Sequence, residues 1–146
     1  MIRSVDPYLN FAGNTEEAFN VYRSIFGGEF QGLMRYRDVE NTMGLGEDEM
    51  DLVAHVALPL GPDRMLMGTD VAGAWAANFT VGTNTYIHLE VETADDADRI
   101  FAGLSAGGTV EMPLEKTFWA EKYGSCRDRF GVQWMVSYTG SVTFPG

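Results

Sequence analysis

Two stretches of this chain carry the same sequence of apolar and polar positions. The first is "YLNFAGNTEEAFNVYRSIFGGEF", residues 8–30, and the second is "YIHLEVETADDADRIFAGLSAGGTV", residues 86–110. Each opens with the period-two alternation of a short strand and crosses a polar break, at Asn14-Thr15 or at Thr93. A helical period then takes over. Ala18, Val21, Tyr22 and Ile25 stand at the i, i+3, i+4, i+7 spacing of one apolar face, and Ala97, Ile100, Phe101 and Leu104 repeat it. Acidic pairs, Glu16-Glu17 and Asp95-Asp96, fall where a helix N-terminus has its partial positive charge. Glycine pairs, Gly27-Gly28 and Gly107-Gly108, stand where a left-handed C-cap would end each helix.

The remaining segments predict strands. In the first half "FQGLMRYRD" leads through the acidic loop "GEDEMD" to "LVAHVAL" and "RMLMG", a hairpin turned by "PLGPD". In the second, "TVEMPL" leads through an aromatic loop to "SCRD", the "RFG" turn and "VQWMVSY". The order strand, helix, three strands therefore occurs twice, over residues 5–70 and 84–139, joined by a linker at 71–83 that is rich in Gly, Ala and Thr. This is an α+β chain of two βαβββ modules, expected to form one domain over 1–146.

Alternation also sorts the faces of the strands. Ile87, Leu89 and Val91 oppose Tyr86, His88 and Glu90; Leu52, Ala54, Val56 and Leu58 oppose Val53, His55 and Ala57. Val132, Trp134, Val136 and Tyr138 form an apolar row opposite Gln133, Met135 and Ser137, so Trp134 and Tyr138 are expected in the core. The mixed second faces suit a ligand pocket, and equally a solvated or dimer-contacting sheet. Trp119 and Tyr123 fall in the aromatic loop, where they either pack or rim a pocket. Cys126 has Arg127 and Arg129 nearby but no visible catalytic partner, so it reads as an inert thiol.

Composition narrows the classes of function. With 146 residues, 45% hydrophobic and 21% charged, the chain suits a globular domain. A net charge of −11 argues against nucleic acid and anionic membranes as partners. A single cysteine suits a reducing compartment, and the N-terminus has no signal-like apolar run, so a cytoplasmic location is expected.

The segments "PYLNFAGNTEEAFNVYRSIFGG" at 7–28, "HVALPLGPDRMLMGTD" at 55–70, and "EKTFWAEKYG" with "DRFGVQWMV" within 115–136 resemble the PhnB-like group. That group, also described as 3-demethylubiquinone-9 3-methyltransferase-like, lies within the glyoxalase/bleomycin-resistance, or vicinal oxygen chelate, superfamily. The chain has no glycine-rich strand-to-helix turn of the kind a nucleotide cofactor needs. The resemblance implies a mixed sheet curled around a cavity, a homodimer, and four metal-ligand positions, two per module. By position within the motifs these fall at Pro7, Leu66, Tyr86 and Met135, where only the Tyr86 oxygen is a donor. The expected cofactor is therefore none. The alternative is a relocated site of His55, His88 and Glu90 holding Zn, Ni, Mn or Fe, or the same residues as a metal-free general base with its orienting carboxylate. Tyr86, Trp119, Tyr123, Gln133 and Met135 are the candidate ligand contacts.

Three functions follow: a metal-free binder of a small molecule; an enzyme of lyase, isomerase or dioxygenase type on a small oxygenated metabolite; and a structural dimer with a vestigial cavity.

Overall fold

Strand, helix and three strands follow one another twice along the chain, in the predicted order. The structure, a computed structural model, describes residues 1–143. It divides into two compact units, Met1–Thr80 and the chain from Val81 onward. The first contains β1 (Tyr8–Phe11), α1 (Thr15–Phe26), β2 (Leu33–Arg35), β3 (Val53–Pro59) and β4 (Met65–Asp70). The second contains β5 (Ile87–Glu90), α2 (Ala94–Ser105), β6 (Thr109–Glu115), β7 (Lys122–Arg127) and β8 (Gln133–Tyr138). Each unit is an open four-stranded mixed sheet, ordered β1-β4-β3-β2 in one and β5-β8-β7-β6 in the other. In both, the first strand runs parallel to the last, because the helix carries the chain across before it returns. No helix among the described residues is long and apolar enough to cross a membrane.

The helices bury the faces that their periodicity predicts, with one addition. In α2, Ala97, Ile100, Phe101 and Leu104 are all buried. In α1 the buried set is Thr15, Ala18, Phe19, Tyr22 and Ile25, while Val21 is only half-buried. Phe19 is the addition, and its ring explains Gly68. A Cβ on Gly68 would lie 2.6 Å from Phe19 Cε1, so β4 reaches α1 only because it has no side chain there. Gly124 of β7 is the counterpart in the second unit, its missing Cβ 2.7 Å from Phe101 Cε1. We expect Gly68→Ala to destabilise the protein by about 1–3 kcal/mol through overpacking. Thermal melting of Gly68→Ala with and without Phe19→Leu checks this; if the smaller residue recovers nothing, the contact is not the cause.

The two helices begin differently. Thr93 caps α2 conventionally, its hydroxyl accepting from the Asp96 N–H at 3.0 Å. Asn14 makes no such bond at α1. Asp70, at the end of β4 and only 2% exposed, takes the role instead. Its Oδ1 accepts from Gly13 N, Thr15 N and Thr15 Oγ1 at 3.1, 3.0 and 2.6 Å, and its Oδ2 from Val53 N at 2.8 Å. Helix α1 ends at Gly27, whose φ of 82° favours glycine but whose ψ of −173° is not that of a left-handed cap, and α2 ends at the extended Ala106, with Gly107 at φ 74° after it.

Three segments differ from expectation. The strand expected across "FQGLMRYRD" is only Leu33–Arg35; Tyr36–Asp38 turn as a 3-10 helix, and the Tyr36 hydroxyl donates to the Asp70 carbonyl at 2.7 Å. Tyr123, expected in a loop, lies inside β7 and is buried. Residues Gly73–Asn78, read as linker, form a 3-10 helix with Trp75 exposed.

Candidate functional site

The missing side chains of Gly68 and Gly124 show which face of each sheet meets its helix, and strand alternation then assigns the other face. In the first unit Val56 pairs with Gly68, so Val56, Leu58 and Leu66 turn toward α1, and all three are fully buried. The opposite, open face carries Tyr8, Met34, His55, Ala57, Met67 and Thr69. Here Tyr8 Oη lies 2.9 Å from His55 Nδ1, with the two rings 5.7 Å apart. Burial raises the Tyr8 phenol above its ordinary pKa, and neighbouring Tyr36 adds to the effect, so Tyr8 is a neutral hydroxyl beside an imidazole. Thr69 ties its hydroxyl to the Ala54 carbonyl at 2.9 Å. Sequence reasoning selected His55 but not Tyr8; the alternation of "YLNF" was the available signal, since it sets Tyr8 and Asn10 opposite Leu9 and Phe11.

In the second unit Gly124 pairs with Val136, so Trp134 and Val136 turn toward α2 and are fully buried. Tyr138 is half-buried. Trp134 donates its indole N–H to Asp128 Oδ2 at 2.9 Å, while Asp128 Oδ1 accepts from Phe130 N and Val132 N. The "DRFG" turn and the core are thus fastened to one carboxylate. Cys126 shares the helix-facing side and is fully buried; burial, followed by Asp128 and Glu111, pushes its thiol up to about 11. It is an unreactive core cysteine.

The open face of the second unit carries most of the other candidates. Gln133 is buried and donates to the Thr85 carbonyl at 2.8 Å, while accepting from Arg127 at 3.2 Å. Tyr86 donates to Glu111 Oε1 at 2.8 Å, a bond that holds the phenol neutral and raises its pKa. Trp119 is half-buried, its ring 5.2 Å from that of Tyr123 and 4.7 Å from the exposed Phe118. His88 is exposed and pairs across β8 with Met135. Glu90 is exposed as well, and its carboxylate accepts from the Thr139 N–H and hydroxyl at 2.9 and 3.0 Å.

The four family positions do not supply the donors that a divalent metal usually takes. Leu66 lies under α1, and by sheet register Met67 is the residue that matches Met135. Pro7 offers only its carbonyl, which accepts from Met67 N, and the Tyr86 oxygen is engaged by Glu111. Among the described residues no three His, Cys, Asp or Glu side chains are grouped as a metal ion requires.

Comparison with known proteins agrees with the doubled architecture. Residues 4–136 match the family model of the Glyoxalase/Bleomycin resistance protein/Dioxygenase superfamily. Protein PA1353 from Pseudomonas aeruginosa is 34% identical, with a TM-score of 0.78 over 92% of this chain and 98% of that one. The PhnB protein from Bacillus cereus is 28% identical, with a TM-score of 0.67 over the same shares. Protein YjdN from Escherichia coli K12 is 27% identical across 91% of this chain and 93% of its own. With its helix-backed sheets, its repeated order of elements and these matches along nearly its whole length, the chain belongs to the glyoxalase/bleomycin resistance/dioxygenase superfamily, and within it to the PhnB-like proteins.

Proposed function

We propose that this protein binds a small organic molecule against the open face of a sheet, without the divalent metal usual in its superfamily. The observation that carries this is the donor set itself. Hydrogen-bonding side chains, the Tyr8–His55 pair in one unit and Tyr86 and Gln133 in the other, stand with methionines and aromatic rings on the open faces, and among the described residues no three His, Cys, Asp or Glu side chains are grouped as a metal ion requires. Such a mixture of apolar surface and a few fixed polar groups is what organic ligands require. We propose further that the protein is a cytoplasmic homodimer, for which sedimentation should return twice the mass of the chain.

The test is the metal content of tag-free protein, followed by titration with Zn, Ni, Mn and Fe(II) of wild type and a His55→Ala/His88→Ala variant. We expect substoichiometric metal in both, and a copurified organic molecule in native mass spectra. Tight stoichiometric metal that disappears in the variant would overturn the reading and restore a relocated site of His55, His88 and Glu90.

One contact favours a second reading. The 2.9 Å bond between Tyr8 and His55 is an arrangement for proton transfer, with His55 as general base and Tyr8 as the group that orients it. In that case the protein is a lyase, isomerase or dioxygenase type of enzyme, and His55→Ala removes turnover while leaving binding within a few-fold.

A further inference from the structure

Arg127 closes β7 on the open face of the second unit, half-buried, in a chain whose net charge is −11. A guanidinium has five N–H donors. The bond that Arg127 makes to a side chain goes to a neutral acceptor, Gln133 Oε1, at 3.2 Å, and no ion pair among the described residues includes it. Gln133 is itself fixed, 4% exposed and donating to the Thr85 carbonyl, so the amide is a rigid brace on one edge of the guanidinium. Glu111 is the nearby acid, but Tyr86 holds it at 2.8 Å and it stays beyond ion-pair distance from Arg127. No carboxylate of the described residues thus lies within 4.0 Å of the guanidinium, while its orientation is set.

Ser125 adds a second feature. It lies two residues before Arg127 on the same face, is 5% exposed, and its hydroxyl makes no bond within the protein. Among the described residues no side-chain oxygen sealed from solvent lacks a partner. The Ser125 oxygen therefore keeps some contact with solvent although the residue as a whole is buried.

We propose that Arg127 anchors the oxyanion group of a small organic ligand, with Gln133 as its brace and the Ser125 hydroxyl as a further donor. The inference rests on the binding function proposed above and names the class of ligand: an organic acid with an apolar body, its oxyanion a carboxylate or a phosphate. A guanidinium suits such a group because two parallel N–H bonds match two oxygens. The overall negative charge repels anions from the rest of the surface, so recognition at Arg127 is local and specific.

The experiment is an NMR titration of the whole protein with four probes: benzoate, inorganic phosphate, benzyl alcohol and benzylamine. Benzoate and phosphate are expected to shift the Arg127 and Ser125 signals saturably, and Arg127→Gln to weaken benzoate at least ten-fold while leaving benzyl alcohol unchanged. Arg127→Lys should keep part of the binding. Glu111→Gln, which removes the neighbouring negative charge, should tighten benzoate several-fold. Should Arg127→Gln fail to fold, Arg127→Lys and Glu111→Gln decide the matter, since opposite changes in benzoate affinity are expected and equal affinities overturn the anchor. Unchanged benzoate binding in Arg127→Gln also overturns it. Binding of benzyl alcohol or benzylamine without the anions removes the oxyanion anchor but keeps the binding function, whereas no response to any of the four removes both.

Discussion

Replacing Asp70 with alanine is expected to lower the free energy of unfolding by about 3–4 kcal/mol. Four donors converge on this carboxylate: the Gly13 and Thr15 N–H groups at the start of α1, the Thr15 hydroxyl, and the Val53 N–H on β3. Thr15 and Asp70 are 0% and 2% exposed, so water does not take over the vacated positions without rearrangement. A buried donor left without an acceptor costs roughly 1–3 kcal/mol, and loss of a helix cap alone about 1 kcal/mol. Asp70→Asn is the informative companion. Its carbonyl oxygen retains the three bonds to α1, but its amide then faces the Val53 N–H, so an intermediate loss of about 1–2 kcal/mol is expected. Urea unfolding checks both, with the midpoint falling and the slope preserved. An Asp70→Ala midpoint indistinguishable from wild type would show that the helix start does not depend on this residue.

The second large effect is expected at Asp128. Its carboxylate accepts from Phe130 N, Val132 N and the indole N–H of the fully buried Trp134. Asp128→Ala frees the turn before β8 and leaves the indole N–H inside the core, for a loss of about 3 kcal/mol. Trp134→Phe creates a void and removes the donor, costing a similar amount. The two should not be additive: once the indole is gone, removing Asp128 no longer costs that bond, so a coupling of about 1 kcal/mol is expected in the double variant. Additive losses would mean that the turn and the core are stabilised independently.

The doubled architecture and both helix faces were legible because each rests on local periodicity. Ala97, Ile100, Phe101 and Leu104 needed nothing beyond their spacing. Phe19 escaped notice because its place depends on the absence of a side chain at Gly68, far along the chain. Asp70 escaped for the same reason, since its four partners lie up to 57 residues away. Tyr123 was misplaced because β7 begins at Lys122, where aromatic and glycine residues resemble a loop. The candidate site was partly legible: alternation set Tyr86, His88 and Glu90 on one face, but not that Glu90 holds the backbone at Thr139 or that Tyr86 holds Glu111. The polar pair in the first unit was half seen, with His55 named and Tyr8 passed over, because strand pairing across β4 brings them together.

The unequal helix starts bear on the order in which the protein is made. Helix α2 carries its own cap three residues away, so both partners of the capping bond are present as soon as Asp96 is synthesised. Helix α1 receives its cap from a residue 55 positions downstream of Thr15. On the ribosome, therefore, the first helix stays without this acceptor until Asp70, at the end of β4, has emerged. The second helix has its cap close by, and the two repeats, alike in outline, acquire their caps on different schedules.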